Sequence, residues 1–98
     1  MIDAADVIDN DFLRQFELKV DKKLAKIEYS LQERKIFLTK LVIPEEINDA
    51  DFSKAFLTAV FNCIEDRNLS VVPTSPEIAK FVRGNRRFKR MLPVGVRI

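Results

Sequence analysis

The chain has 98 residues, with 17 basic and 15 acidic side chains, no histidine and one cysteine, Cys63. That length suits one domain with a single modest core, and no apolar run approaches the roughly 20 residues of a membrane span. The composition removes a Ser-His-Asp triad, an internal disulfide and an ordinary Cys/His zinc site, so any general base must be Asp, Glu, Lys, Tyr or a water they position.

The first eleven residues carry Asp3, Asp6, Asp9 and Asp11, with no base and no periodicity. They read as a loose acidic lead-in, residues 1–11, before a single domain over residues 12–92 and a short tail at 93–98. No signal-peptide pattern opens the chain and a lone thiol fits a reducing compartment, so a cytoplasmic protein is expected. Phe12 to Val20 alternates, with Phe16, Leu18 and Val20 on one side, and predicts a half-buried strand. After the polar turn Asp21-Lys22-Lys23, Leu24 to Leu31 alternates again with Ala25, Ile27, Tyr29 and Leu31 inward. Gln32-Glu33-Arg34 turns the chain once more, and such short polar connections favour an antiparallel meander. In Lys35 to Ile43, the apolar residues Ile36, Phe37, Leu38, Leu41, Val42 and Ile43 fall on both faces. That pattern predicts a central strand covered on both sides, ended by Pro44, which has no N–H to continue a ladder.

A helix is predicted from about Asp49 to Arg67, because Phe52, Phe56, Ala59, Val60, Cys63 and Ile64 recur at spacings of three and four. Leu57 and Phe61 widen the stripe, Ser53, Lys54, Thr58, Asn62 and Glu65 form the polar face, and Asn68 suits a left-handed stop. Cys63 on the stripe reads as buried packing. Leu69 to Val72 is a short strand that, coming after a helix, should lie parallel to the central strand. In Pro73-Thr74-Ser75-Pro76, Ser75 suits a helix cap and Pro76 a first helical position. Ile78, Ala79, Phe81 and Val82 make a short amphipathic helix that stops near Gly84-Asn85, with one more turn around Phe88, Met91 and Leu92. From Lys80 onward the charge is all positive: Lys80, Arg83, Arg86, Arg87, Lys89, Arg90 and Arg97. A basic end of this kind attracts phosphates or acidic proteins, and Phe88 among those bases offers a ring for stacking on a nucleobase.

Several stretches in order resemble the small YjdJ-type branch of the GCN5-related (GNAT) N-acetyltransferases. They are Ala25 to Tyr29, Val42-Ile43-Pro44, Ala55 to Val60, Leu69 to Pro76 and Phe81 to Asn85, covering roughly residues 12–92. The resemblance implies an α+β, GNAT-like mixed sheet: a three-stranded antiparallel meander, a long helix, a parallel fourth strand and a short C-terminal helix. It also implies acetyl-CoA as cofactor and an unknown amine as acceptor, with backbone N–H groups near Ile43 polarising the thioester carbonyl.

Members of that branch hold the cofactor's pyrophosphate on a loop resembling R-G-x-G-x-A, whose glycines let backbone N–H groups close around it. Projected here, the pattern places Asn48 at the arginine, Asp49 and Asp51 at the glycines and Ser53 at the alanine, with Ala50 and Phe52 between them. Lys40-Leu41 stands where many members show His-Thr, and Ser75 where many carry a cysteine near the transfer site. The resemblance therefore implies a GNAT-like domain with weak or lost acetyl-CoA binding, a pseudoenzyme or binding remnant. The alternatives are an active acetyltransferase with atypical cofactor contacts, and a module that binds an acidic partner or nucleic acid through the basic C-terminal third, nucleic acid being the weaker expectation.

Overall fold

The structure is a computed structural model that describes residues 6–96. Five strands form one sheet in the order β1-β2-β3-β4-β5: β1 (Ile8–Asn10), β2 (Gln15–Val20), β3 (Lys23–Gln32), β4 (Lys35–Val42) and β5 (Ser70–Pro73). The first four pair antiparallel and β4 pairs β5 in parallel. Three helices complete the domain: α1 (Ala50–Asp66), α2 (Pro76–Arg83) and α3 (Arg86–Lys89). The α+β architecture is the one the sequence implied. Among the described residues, no helix is long and apolar enough to cross a membrane.

The hairpin turns are tight because two residues, Asp21 and Glu33, adopt left-handed φ values of 56° and reverse the chain at once. Asn68 has the same φ just beyond α1, where a short polar side chain tolerates the left-handed conformation that stops a helix. The inward positions of the sheet, among them Phe16, Leu18, Ala25, Ile27, Tyr29, Ile36, Leu38 and Val71, are buried and form one core with Phe56, Val60 and Ile64 of α1. Phe61 of α1 takes a different neighbour. It packs against Phe81 of α2 and Phe88 of α3, with ring centroids 5.4 and 5.0 Å away, and this triangle of rings fastens the C-terminal helices to α1.

Three expectations need correction. The run Lys35 to Ile43 is not covered on both faces. Tyr29 lies opposite Leu38 but Glu28 lies opposite Lys40, so Thr39 is an extra residue, a β-bulge. The bulge resets the side-chain parity, so Ile36 and Leu38 are buried in the core and the half-buried Leu41 and Ile43 pack against it, while Phe37 and Val42 do not. The Thr39 hydroxyl donates to the Glu28 carbonyl at 3.2 Å across the irregularity.

Second, the first strand of the meander starts at Gln15, not Phe12. The Asn10 side chain accepts the Leu13 N–H at 3.0 Å, an Asx-type turn, and this leaves Phe12 92% exposed at the tip.

Third, the lead-in is not all loose. Ile8–Asn10 adds an edge strand beside β2, and Met1 to Ala5 lie outside the described residues. Asp9 fixes that strand to the rest: it accepts from the Tyr29 hydroxyl and pairs with the Arg67 guanidinium, which also lies 5.8 Å over the Phe16 ring.

Candidate functional site

β4 ends at Val42, and Pro44 opens a single 3-10 turn, Glu45–Ile47, that delivers the chain to α1. The N–H groups at the start of α1 are the ones an anion would use. Asp49 is the N-cap, and its carboxylate accepts the Phe52 N–H at 2.7 Å. One donor of the helix start is thus taken by its own side chain, a cap that stabilises the helix by about 1 kcal/mol. Asn48, Asp49, Ala50 and Asp51 are exposed, while Ile43, Phe52 and Ser53 are half-buried. Ile43 packs at the margin of the core and the Phe52 ring lies 6.1 Å from that of Phe56, so these two side chains are structural in placement. Glu46 adds a further carboxylate, which pairs with Lys23 at 3.0 Å; that hydrogen bond and charge hold it below the usual range.

Beside this helix start runs an open groove of about 440 Å3 between α1 and α2. Ala50, Ser53, Lys54 and Leu57 form one wall, and Lys80 and Phe81 stand on the other. Of the loop positions singled out from sequence, the structure brings Ala50 and Ser53 to the groove. Lys54 and Lys80 were not picked out as site residues. Helical periodicity marked Lys54 only as polar, and no sequence signal told which second helix it would face.

Ser75 lies at the first turn of α2 and is buried, with 6% exposure. It is the N-cap of α2, as expected, with Pro76 next at the first helical position; its carbonyl accepts the Ala79 N–H at 2.9 Å, but its hydroxyl makes no capping bond. The adjacent Thr74 ties β5 to β4, its N–H and hydroxyl both donating to the Leu38 carbonyl at 3.1 and 3.0 Å. Phe88 departs from expectation. It is 3% exposed, closed between Phe61, Phe81 and the Arg87 guanidinium 5.2 Å above it, and offers no face to a base.

Tyr29 belongs to the core as well. Burial first, and then the hydrogen bond to Asp9, push its hydroxyl from 10.0 up to about 12, so it is a fixed donor at neutral pH and no general base. Because the folded value lies above the unfolded one, the stability tied to this proton is present below pH 10.0 and drains away as pH rises toward about 12. Tyr29→Phe should cost about 1–2 kcal/mol at neutral pH, for a lost hydrogen bond to a carboxylate. It should also flatten the alkaline fall relative to wild type; urea unfolding of the pair from neutral to alkaline pH checks both. Half-burial raises the Cys63 thiol, which makes it a poor nucleophile, and among the described residues no group of His, Cys, Asp and Glu could hold a metal.

A family model described as GCN5-related N-acetyl-transferase matches residues 15–91, from the first residue of β2 to the turn after α3. No curated protein matches the chain.

Proposed function

Because the chain belongs to the GCN5-related N-acetyltransferase family, we propose that it is a GNAT-fold domain in which the acetyl-CoA cradle has been converted into an internally capped helix start, leaving cofactor binding weak or absent. The observation that carries this reading is the Asp49 carboxylate on the Phe52 N–H, which occupies a donor that a phosphate would need. The residues around it fit a phosphate poorly. Asp51 stands in the first turn, and side chains fill both positions where the family pattern has glycine. Two unit charges about 5 Å apart repel by roughly 1 kcal/mol in water and roughly 3 at an effective dielectric near 20. Several such pairs outweigh what an open groove supplies. Calorimetric titration with acetyl-CoA is expected to show no saturation below about 1 mM, an affinity no better than roughly −4 kcal/mol. A micromolar isotherm overturns the reading.

A second reading, an active acetyltransferase with atypical cofactor contacts, has one observation in its favour. Lys54 and Lys80 line the groove together with Ala50 and Ser53, and bring to it positive charge that the loop lacks and that the single Glu77 there only partly offsets. It requires release of free CoA thiol with some amine in a panel, and loss of that turnover in Lys54→Glu. Absence of any CoA release removes it.

A further inference from the structure

The groove joins two regions of opposite charge. At the start of α1 stand the exposed Asp49 and Asp51, with Glu45 and Glu46 just before them. On α2, on α3 and just after it, the exposed Lys80, Arg83, Arg86, Lys89 and Arg90 make no ion pair among the described residues, whereas Arg87 is held by Glu65 at 2.8 Å. Within the groove Leu57 and Phe81 supply the apolar part of the lining, and Lys54 and Lys80 outnumber the one acidic residue there, Glu77.

We infer that this groove and the basic strip that continues it form a docking surface for a short acidic segment of another protein, with an apolar side chain seated on Leu57 and Phe81 and carboxylates beyond it on Arg83, Arg86 and Arg90. The polarity of the surface gives the segment a direction. Its positive or N-terminal end lies toward Asp49 and Asp51, and its acidic end toward α3. A nucleic acid fits the same surface badly. Its uniform negative charge meets four carboxylates at one end, and the aromatic ring within the basic strip, Phe88, is closed to stacking. The inference rests on the reading above in one respect: the groove is left free for an occupant other than the cofactor.

The test is fluorescence anisotropy of the full chain with a labelled peptide of about twelve residues, Lys at its N-terminal end, then Leu and Phe among Asp and Glu. Saturable micromolar binding is expected. It should weaken by roughly tenfold in Arg83→Glu plus Arg86→Glu, fall steeply with added salt, and weaken comparably when the peptide's Leu and Phe become Ser. Lys19→Glu, on an exposed position of β2, should leave it unchanged. Polyglutamate or a single-stranded RNA of equal charge binding as tightly as the peptide overturns the proposal. So does affinity indifferent to the arginine changes, or light scattering showing that the basic strip holds a second copy of the chain instead. An acetyl-CoA titration run in parallel judges the cofactor reading by itself: a micromolar cofactor isotherm overturns that reading, while the peptide isotherm decides the docking surface.

Discussion

Replacing Asn48 with arginine and Asp49 and Asp51 with glycine should raise the affinity for acetyl-CoA by about tenfold or more, a gain of at least roughly 1.4 kcal/mol. The gain has two separable sources. Removing two carboxylates and adding a guanidinium reverses the sign of the charge facing a pyrophosphate. Removing the Asp49 side chain also frees the Phe52 N–H it now occupies, and glycines let the backbone approach the phosphate oxygens. Asp49→Asn with Asp51→Asn isolates the charge, because asparagine still caps the helix. Calorimetry should therefore show a small gain for the asparagine pair and the larger one for the arginine-glycine triple. The triple should lose about 1–2 kcal/mol of stability, since it gives up a cap and introduces backbone freedom. If the triple binds no better than wild type, the carboxylates are not what separates this chain from a cofactor-binding relative, and the site has been lost elsewhere.

Phe61→Ala should be strongly destabilising, at about 3–5 kcal/mol in urea unfolding. Phe61 has no exposed surface and contacts the rings of both Phe81 and Phe88, which are themselves 5.7 Å apart. Truncation leaves a cavity bounded by two rings on short helices that pack against α1 through them. A domain of this size has roughly 5–15 kcal/mol in total, so a large share goes with one side chain. Phe61→Leu, which keeps much of the volume, should cost less than half as much. Phe12→Ala is the matched control: it removes the same ring from the exposed turn tip and should change stability by less than about 0.5 kcal/mol. Equal effects of the two alanine changes would mean that the ring triangle does not anchor α2 and α3.

Local physics made much of the fold readable. Alternation at Phe16, Leu18, Ala25, Ile27 and Tyr29 gave the strand faces, and the stripe from Phe52 to Ile64 gave the helix and its buried side. Asn68 named its own left-handed stop. The readings that failed depended on what lies far away in sequence. β1 is too short for periodicity, and its evidence is a partner strand and the Asp9 bonds to Tyr29 and Arg67. A strand with one inserted residue looks apolar on both sides until its register is known, which is why Thr39 concealed the one-sided burial of β4. Phe88 sits among arginines and lysines in the sequence, yet its neighbours in space are aromatic. At the site, the helix start near Asp49 was legible because helical periodicity is local. The groove was not, because it exists only where α1 and α2 come together.

The parallel pairing of β4 with β5 has a consequence for how the chain assembles. Every other pair in the sheet joins consecutive strands with no helix between them, and the hairpins β2-β3 and β3-β4 close through turns of two residues. Those steps zip locally at little cost in chain entropy. The β4–β5 pairing, which sets Ile36 beside Val71, has to enclose the whole of α1 first, and closing that long a loop is the most expensive ordering step in the sheet. The two walls of the groove lie on either side of this closure, one on α1 and one on α2. A surface shared by the segment inside a long loop and the segment just beyond it is complete only when the loop has shut, so the groove between α1 and α2 is also the region that reports whether folding has finished.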